Sequence, residues 1–400
     1  MECNWPTVKL EELLEQNTST EKLEPNKSYR LLGVRLEGKG PFIREEKPGS
    51  QVRAKSLRKV TSGEFIYSRL FAWRGAFGLI SPEMDCAFVS NEFPTFKIDE
   101  TRVFPKFLEM YFKQRWIWNE VEKYCTGTTK ASRNRFKEKF FLNLDISLPA
   151  KEEQKHIVAR IESLLAKIEE ARRLRGEAVK EAEKLFELFL RRIFLNNNQY
   201  DLVKLGDKDY FELNPSKSEL SGLDDDIDVS FVPMTCVDPE LGKIKNFGIR
   251  KLFEVRKGYT YFKEGDVLFA KITPCMENGN VAIAQNITNG IGFGTTEFHV
   301  VRVLEKVLPK WVYYLFRTKG FRDIAKGNMT GTAGQRRVPK SFLEQYEIPL
   351  PSLPEQRRIV TYLDSFQAKV DELKRLQAET EKEIEELVPS ILDKAFKGEL

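Results

Sequence analysis

Four hundred residues exceed one ordinary domain and indicate two to four, and 41% hydrophobic positions are enough for each to bury a core. A net charge of +5 with 31% charged residues excludes a histone-like polyanion binder, so any basic character that matters must be local. Cysteines at 3, 86, 125, 236 and 275 with no C-x-x-C, and two distant histidines, argue against a disulfide framework or zinc site; acids in the first turn of sequence and the lack of any run of roughly 18 apolar residues argue against a signal peptide or membrane span, so a soluble cytoplasmic chain is expected.

The chain opens on WPTVKL (5–10). Gly33, Gly38 and Lys39 fit the first seven positions of a phosphate-binding P-loop, but Gly40 stands where Ser or Thr must reach magnesium, which rejects a nucleotide site. The basic run 44–59 reads as a solvated surface loop. SRLFAWRG (68–75) closes a short apolar run and is a further candidate DNA-contact segment, in which Arg69 and Arg74 either stand on a sheet face or simply end a strand. TGTTKASRNRFKEK (126–139) is a glycine-containing basic stretch in which Thr128, Lys130, Arg133, Asn134 and Arg135 supply residue types that contact phosphates and base edges. A tail at about 150–195 then places Ile157, Ile161, Leu164, Ile168, Leu185, Leu188 and Ile193 at helical spacing.

The second half repeats the first. YDLVKL (200–205) answers WPTVKL, GDVLFAKI (265–272) answers GEFIYSRL (63–70), TEF (296–298) answers NEF (91–93), and VLPKWVYYLF (307–316) answers VFPKFLEMYF (103–112). DISLPAKEEQKHIVARIESLLAKIEE (145–170) aligns without gaps on EIPLPSLPEQRRIVTYLDSFQAKVDE (347–372) at an offset of 202. The chain is a tandem duplication. TGTAGQRRVPK (330–340) is the second basic stretch, with Thr332, Gln335, Arg336, Arg337 and Lys340 as candidates, and Lys271 takes the place of Arg69. Asp224, Asp225 and Asp226 read as a solvated loop, and Gly290, Gly292 and Gly294 as a hairpin. The second tail, about 352–397, carries Ile359, Leu363, Phe366, Val370, Leu373, Leu376, Ile384, Leu387 and Ile391; Ser352 and Glu355 have the form of a capping box.

Two helices of some 44 residues would each span roughly 65 Å. Neither can hide in a 150-residue head, so their apolar stripes are expected to meet as an antiparallel coiled coil, giving a dumbbell with a pseudo-two-fold axis.

The repeated LPxxxEQ(K/R)xIV pattern, opening a long helix behind each of two dissimilar α/β regions, resembles the specificity subunits of type I restriction–modification enzymes. VKLGD (203–207), NPSK (214–217) and the TGT segments fit the same family. The resemblance implies an α+β fold with target-recognition domains at 1–147 and 199–349 and helical regions at 148–198 and 350–400. It implies that each head reads half of a split, asymmetric site on double-stranded DNA in a prokaryotic cell. The helices would act as spacer and dock two modification subunits through Gln154, Ile157, Gln356 and Ile359, with restriction subunits joining the full complex. No catalytic or metal-ligating residue and no cofactor are expected in the chain; S-adenosylmethionine belongs to the modification subunits, ATP and magnesium to the restriction subunit. The N/D-P-P-Y/F tetrapeptide of amino-methyltransferases is absent, which weighs against an enzyme with a fused recognition region. A pure coiled-coil scaffold is the other rival, and the basic TGT stretches in both halves weigh against it.

Overall fold

The computed structural model describes residues 5–127, 134–196, 199–332 and 334–399. They form two compact units, one of 1–175 with 377–400 and one of 176–376. The division falls inside both long helices, Lys151–Phe194 and Leu353–Phe396, so each unit owns one head and a piece of each helix.

The duplication holds in the strand pair that closes each head and in its four-stranded antiparallel sheet. In the first unit Thr7–Lys9 pairs with Asp145–Ser147, and an antiparallel sheet runs in the order Leu14–Gln16, Thr95–Ile98, Phe65–Tyr67, Phe77–Leu79. The second unit repeats both, with Leu202–Lys204 on Glu347–Pro349 and the order Phe211–Leu213, Phe298–Val303, Val267–Ala270, Val281–Ile283. A further sheet in each unit contains a parallel pair, Ser28–Val34 with Phe88–Val89 and Asp228–Val232 with Ile291–Gly294.

The near-continuous apolar runs of the sequence are explained by this layering. Side chains alternate across a strand, so Phe65 and Tyr67 enter the core beneath the helices while Ile66 enters a second core on the opposite face; Val267 and Phe269 divide from Leu268 in the same way. VFPKFLEMYF and VLPKWVYYLF form the helices Pro105–Tyr111 and Pro309–Arg317, each with proline in the first turn, where the missing N–H costs nothing. Trp311 is fully buried and its indole N–H donates to the Pro349 carbonyl at 3.0 Å.

Within the second unit the helix segments run antiparallel. Glu183 meets Lys374 at 2.6 Å, Phe186 meets Phe366 and Phe189 meets Tyr362, so partners descend as the first helix ascends. Within the first unit Arg172 pairs with Glu381 at 2.8 Å. The predicted stripe is partly wrong: Leu185, Leu188, Leu376 and Leu387 are exposed, and the second unit's core takes the expected Ile193 together with Leu190 and Phe194. Apolar residues lie on more than one face of these helices, and spacing alone does not say which face is the seam. Glu355 also departs from the expected capping box, accepting from the Tyr200 hydroxyl at 3.1 Å and pairing with Arg358 at 2.7 Å.

Other readings change as well. The run 44–59 is not one loop: it holds the end of strand Pro41–Pro48 and all of Ser56–Lys59, where Arg58 is buried. Gly290, Gly292 and Gly294 form no hairpin; they run from a short turn into the strand Ile291–Gly294, where a Cβ on Gly292 would lie 2.0 Å from the Phe262 ring. The P-loop look-alike is a strand and tight turn with Gly38 and Gly40 at positive φ. Asp225 pairs with Arg256, and among the described residues no three His, Cys, Asp or Glu are grouped to hold a metal. Among them, too, no helix is long and apolar enough to cross a membrane.

Candidate nucleic-acid interface

The two TGT stretches are mounted on the same hydrogen-bonded frame. In the first unit the chain leaves strand Phe65–Tyr67 and reaches Arg69, whose N–H donates to the Glu92 carbonyl at 2.9 Å and whose carbonyl accepts from Phe136 N–H at 2.9 Å. Thr126 and Arg135 exchange two backbone hydrogen bonds at 3.0 and 2.9 Å, closing the loop at its base. The Arg135 guanidinium then donates to the Glu92 carboxylate at 2.8 Å. In the second unit Lys271 N–H donates to the Glu297 carbonyl and its carbonyl accepts from Val338 N–H, both at 2.9 Å. Thr330 and Arg337 exchange bonds at 2.9 and 2.8 Å, and the Arg337 fork grips both Glu297 oxygens at 2.8 Å. Every element of the first frame thus recurs at its repeat mate in the second.

The carbonyl beyond each arginine also has a buried donor. Tyr67 hydroxyl donates to the Phe136 carbonyl at 3.3 Å, and His299 Nε2 lies 2.8 Å from the Val338 carbonyl. Because Nε2 faces an acceptor, it carries the proton, and Nδ1 accepts from the Asn214 amide at 3.2 Å. His299 is 4% exposed, and burial pushes its pKa down to about 4, so the ring is neutral. Asn214, from the NPSK motif, sits at positive φ and also accepts from Val300 N–H at 2.9 Å.

Electrostatics follow the same geometry. Hydrogen bonds from Arg337 hold the Glu297 carboxyl below its ordinary range. Lys271 is half-buried, and loss of water pushes its ammonium down despite the nearby Glu297 charge. In the first unit Arg69 is paired with Glu138.

The frame gathers the candidates unequally. Thr128, Lys130 and Arg133 lie outside the described residues. Asn134 is half-buried at the loop base, while Thr332, Gln335, Arg336 and Lys340 are exposed around the second loop. Arg336 donates to the Met329 carbonyl at 2.9 Å, and Lys340 pairs with Glu344 at 3.0 Å. Arg74 is exposed in a separate turn, Ala72–Arg74. Arg135, Arg337 and Arg69 were expected to read DNA, but carboxylates engage their guanidinium groups, which makes them braces of the loop base in this structure. Glu92 and Glu297 were missed as site residues. The signal was present, because NEF and TEF recur at the matched place.

Gln154 and Gln356 require a clearer correction. Both are fully buried, so neither side chain is available to a docking partner. Gln154 accepts from Phe104 N–H at 2.7 Å and donates to the Arg102 and Pro149 carbonyls at 2.9 Å. Gln356 accepts from Leu308 N–H at 2.9 Å and donates to the Lys306 and Pro351 carbonyls at 3.0 and 2.9 Å. Each amide ties the start of a long helix to the chain entering the head's proline-led helix. Ile157 and Ile359 pack into the cores beside them.

The chain matches the family model described as type I restriction modification DNA specificity domain over residues 2–175 and 198–385. It is 38% identical over 182 residues to the type I restriction enzyme EcoAI specificity subunit of Escherichia coli, covering 45% of this chain and 30% of that one. The EcoEI specificity subunit, also from Escherichia coli, is 38% identical over 170 residues, 42% of this chain and 29% of that one. The matches therefore span about three tenths of these two relatives. The solved HsdS subunit from Thermoanaerobacter tengcongensis is similar at 26% identity and a TM-score of 0.64, over 99% of this chain and 97% of that one. A second solved chain, from work on complex assembly and conformational transition of the type I system, shares the fold over the full length of both at 24% identity and a TM-score of 0.68. With the family model matched across both repeats and the strand order duplicated, the chain belongs to the type I restriction modification DNA specificity family.

Proposed function

We propose that this chain is the sequence-recognition component of a type I restriction–modification complex, in which each head reads one part of a bipartite, asymmetric site on double-stranded DNA. The observation that carries the reading is the pair of matched frames, each presenting a basic loop from a head of different sequence. Identical readers on a two-fold axis require a palindrome, whereas diverged readers on a duplicated chain take two unlike half-sites. The chain itself carries no chemistry in this reading. Methyl transfer from S-adenosylmethionine belongs to modification subunits, and ATP- and magnesium-dependent steps belong to a restriction subunit.

Methylome sequencing of a methylation-free host tests it. Expressed with its modification subunit, the chain should give one split, asymmetric methylated motif; expressed alone, it should give none. A palindromic motif, or methylation by the chain alone with S-adenosylmethionine, would overturn the reading.

The partner surface is proposed to lie on the exposed leucines rather than on Gln154 and Gln356. Leu174 and Leu387 are 52% and 48% exposed in the first unit; their repeat mates Leu376 and Leu185 are 44% and 59% exposed in the second. Exposed leucines at equivalent places in both repeats suit one partner bound in two copies. Changing Leu174 and Leu387 together to Asp should reduce the modification subunits retained per chain from two to one, read by native mass spectrometry. Two copies retained by that variant would remove these leucines from the surface.

A further inference from the structure

The matched frames differ in one charge. Position 138 in the first unit is Glu and its repeat mate at 340 is Lys. Glu138 neutralises Arg69. Lys340 cannot do this for Lys271, and pairs with Glu344 at 3.0 Å instead. Among the described residues Lys271 therefore has no carboxylate partner, while the only acid of its frame, Glu297, is held in both oxygens by Arg337. In the first frame Arg69 and Arg135 balance Glu92 and Glu138. In the second, Arg337 balances Glu297 and Lys340 balances Glu344, which leaves the charge of Lys271 over.

The Lys271 side chain is half-buried and, among the described residues, its ammonium is in no ion pair, so an anion arriving there would gain charge-assisted hydrogen bonds from it. Its backbone carbonyl is held by Val338 N–H, in the segment that carries the exposed Gln335, Arg336 and Lys340, and the acid that acts on it, Glu297, is already gripped by Arg337. We infer that Lys271, with Lys340, forms an anion site for a DNA backbone phosphate in the second head, and that Glu138 closes the corresponding site in the first. The inference rests on the DNA-recognition reading above. It makes the two heads electrostatically unequal at structurally matched positions, so the second supplies more of the sequence-independent affinity from this frame. The fork of Arg337, occupied by Glu297, contributes position rather than contact.

The test is a salt titration of the full chain against a mixed-sequence 30-base-pair duplex, followed by fluorescence anisotropy, because each phosphate contact adds about 0.9 to the log–log salt slope. Lys271→Gln should weaken binding and lower the slope by about one contact. Lys340→Glu rebuilds the first head's arrangement around Lys271 and should lower it by at least as much; its site is exposed, so it keeps the test valid if Lys271→Gln folds poorly. Glu138→Lys should raise the slope, and the same charge change at exposed Glu305 should leave it unchanged. Circular dichroism melting confirms that each variant is folded. An unchanged slope for Lys340→Glu, or an equal rise for Glu305→Lys and Glu138→Lys, would overturn the inference while leaving DNA recognition standing. A wild-type chain whose binding shows no salt dependence would overturn both.

Discussion

Gln356→Leu should destabilise the second unit by about 3 kcal/mol, because three hydrogen bonds are lost and their backbone partners are left without replacements. Leucine nearly conserves the volume of the side chain, so the effect is that of polar satisfaction and not of a cavity. The amide is suited to this place because it accepts with one end and donates twice with the other, and no other side chain of its length does both without charge. Gln356→Glu should be at least as damaging at neutral pH, since a buried carboxylate cannot donate to Lys306 and Pro351. Denaturant unfolding of the full chain, followed by Trp311 emission, measures the loss. A change below about 1 kcal/mol would mean that water replaces the amide. Gln154→Leu should act in the same way on the first unit, where the amide makes the equivalent three bonds.

That glutamine shows where the sequence is legible and where it is not. The long helices could be bounded closely, at 150–195 and 352–397 against Lys151–Phe194 and Leu353–Phe396, because 3.6-residue spacing and the proline near each start are local signals. The duplication and the α+β class were legible for a similar reason: each strand run has a mate. What a repeated polar residue does is not local. Gln154 and Gln356 looked like a shared surface because they recur on helices that must be exposed, yet two of the three partners of each are backbone groups about 50 residues away, which leave no trace in side-chain identity. Leu185 and Leu387 failed in the opposite sense, since leucine at helical spacing fits a seam and an exposed face equally well.

The same limit applied within the site. The basic loops were visible from composition, and their recurrence selected them over the scattered basic residues elsewhere. Whether an arginine there is free or held depends on an acid 40 or so residues earlier, Glu92 for Arg135 and Glu297 for Arg337. The DNA contacts expected of Arg135 and Arg337 came from residue type, and in this structure carboxylates hold both side chains. Gln335 and Arg336 are exposed in the same segment.

His299 makes the second unit acid-sensitive in a defined window. Its pKa falls from about 6.5 in the unfolded chain to about 4 in the fold, so below pH 6.5 the unfolded state takes up a proton that the native ring refuses. The stabilisation is complete above pH 6.5 and is lost as pH falls toward 4; below that both states are protonated and the loss stops. The gap corresponds to about 3 kcal/mol in full and about 2 kcal/mol at pH 5. The charged groups that act on the ring are Lys271 and Lys340, which oppose its protonation, and Glu297, which favours it; burial outweighs them all. His299→Gln can still donate to Val338 and accept from Asn214 but cannot titrate, so the pH curves of the two proteins should diverge below pH 6.5 by these amounts. Carboxylates elsewhere titrate in both and cancel in the comparison. Parallel curves from pH 7.5 to 4.5 would mean that the ring is not buried as a neutral donor. Divergence would place the pH-sensitive element at the Val338 carbonyl, next to the hydrogen bond that anchors the second TGT stretch to Lys271.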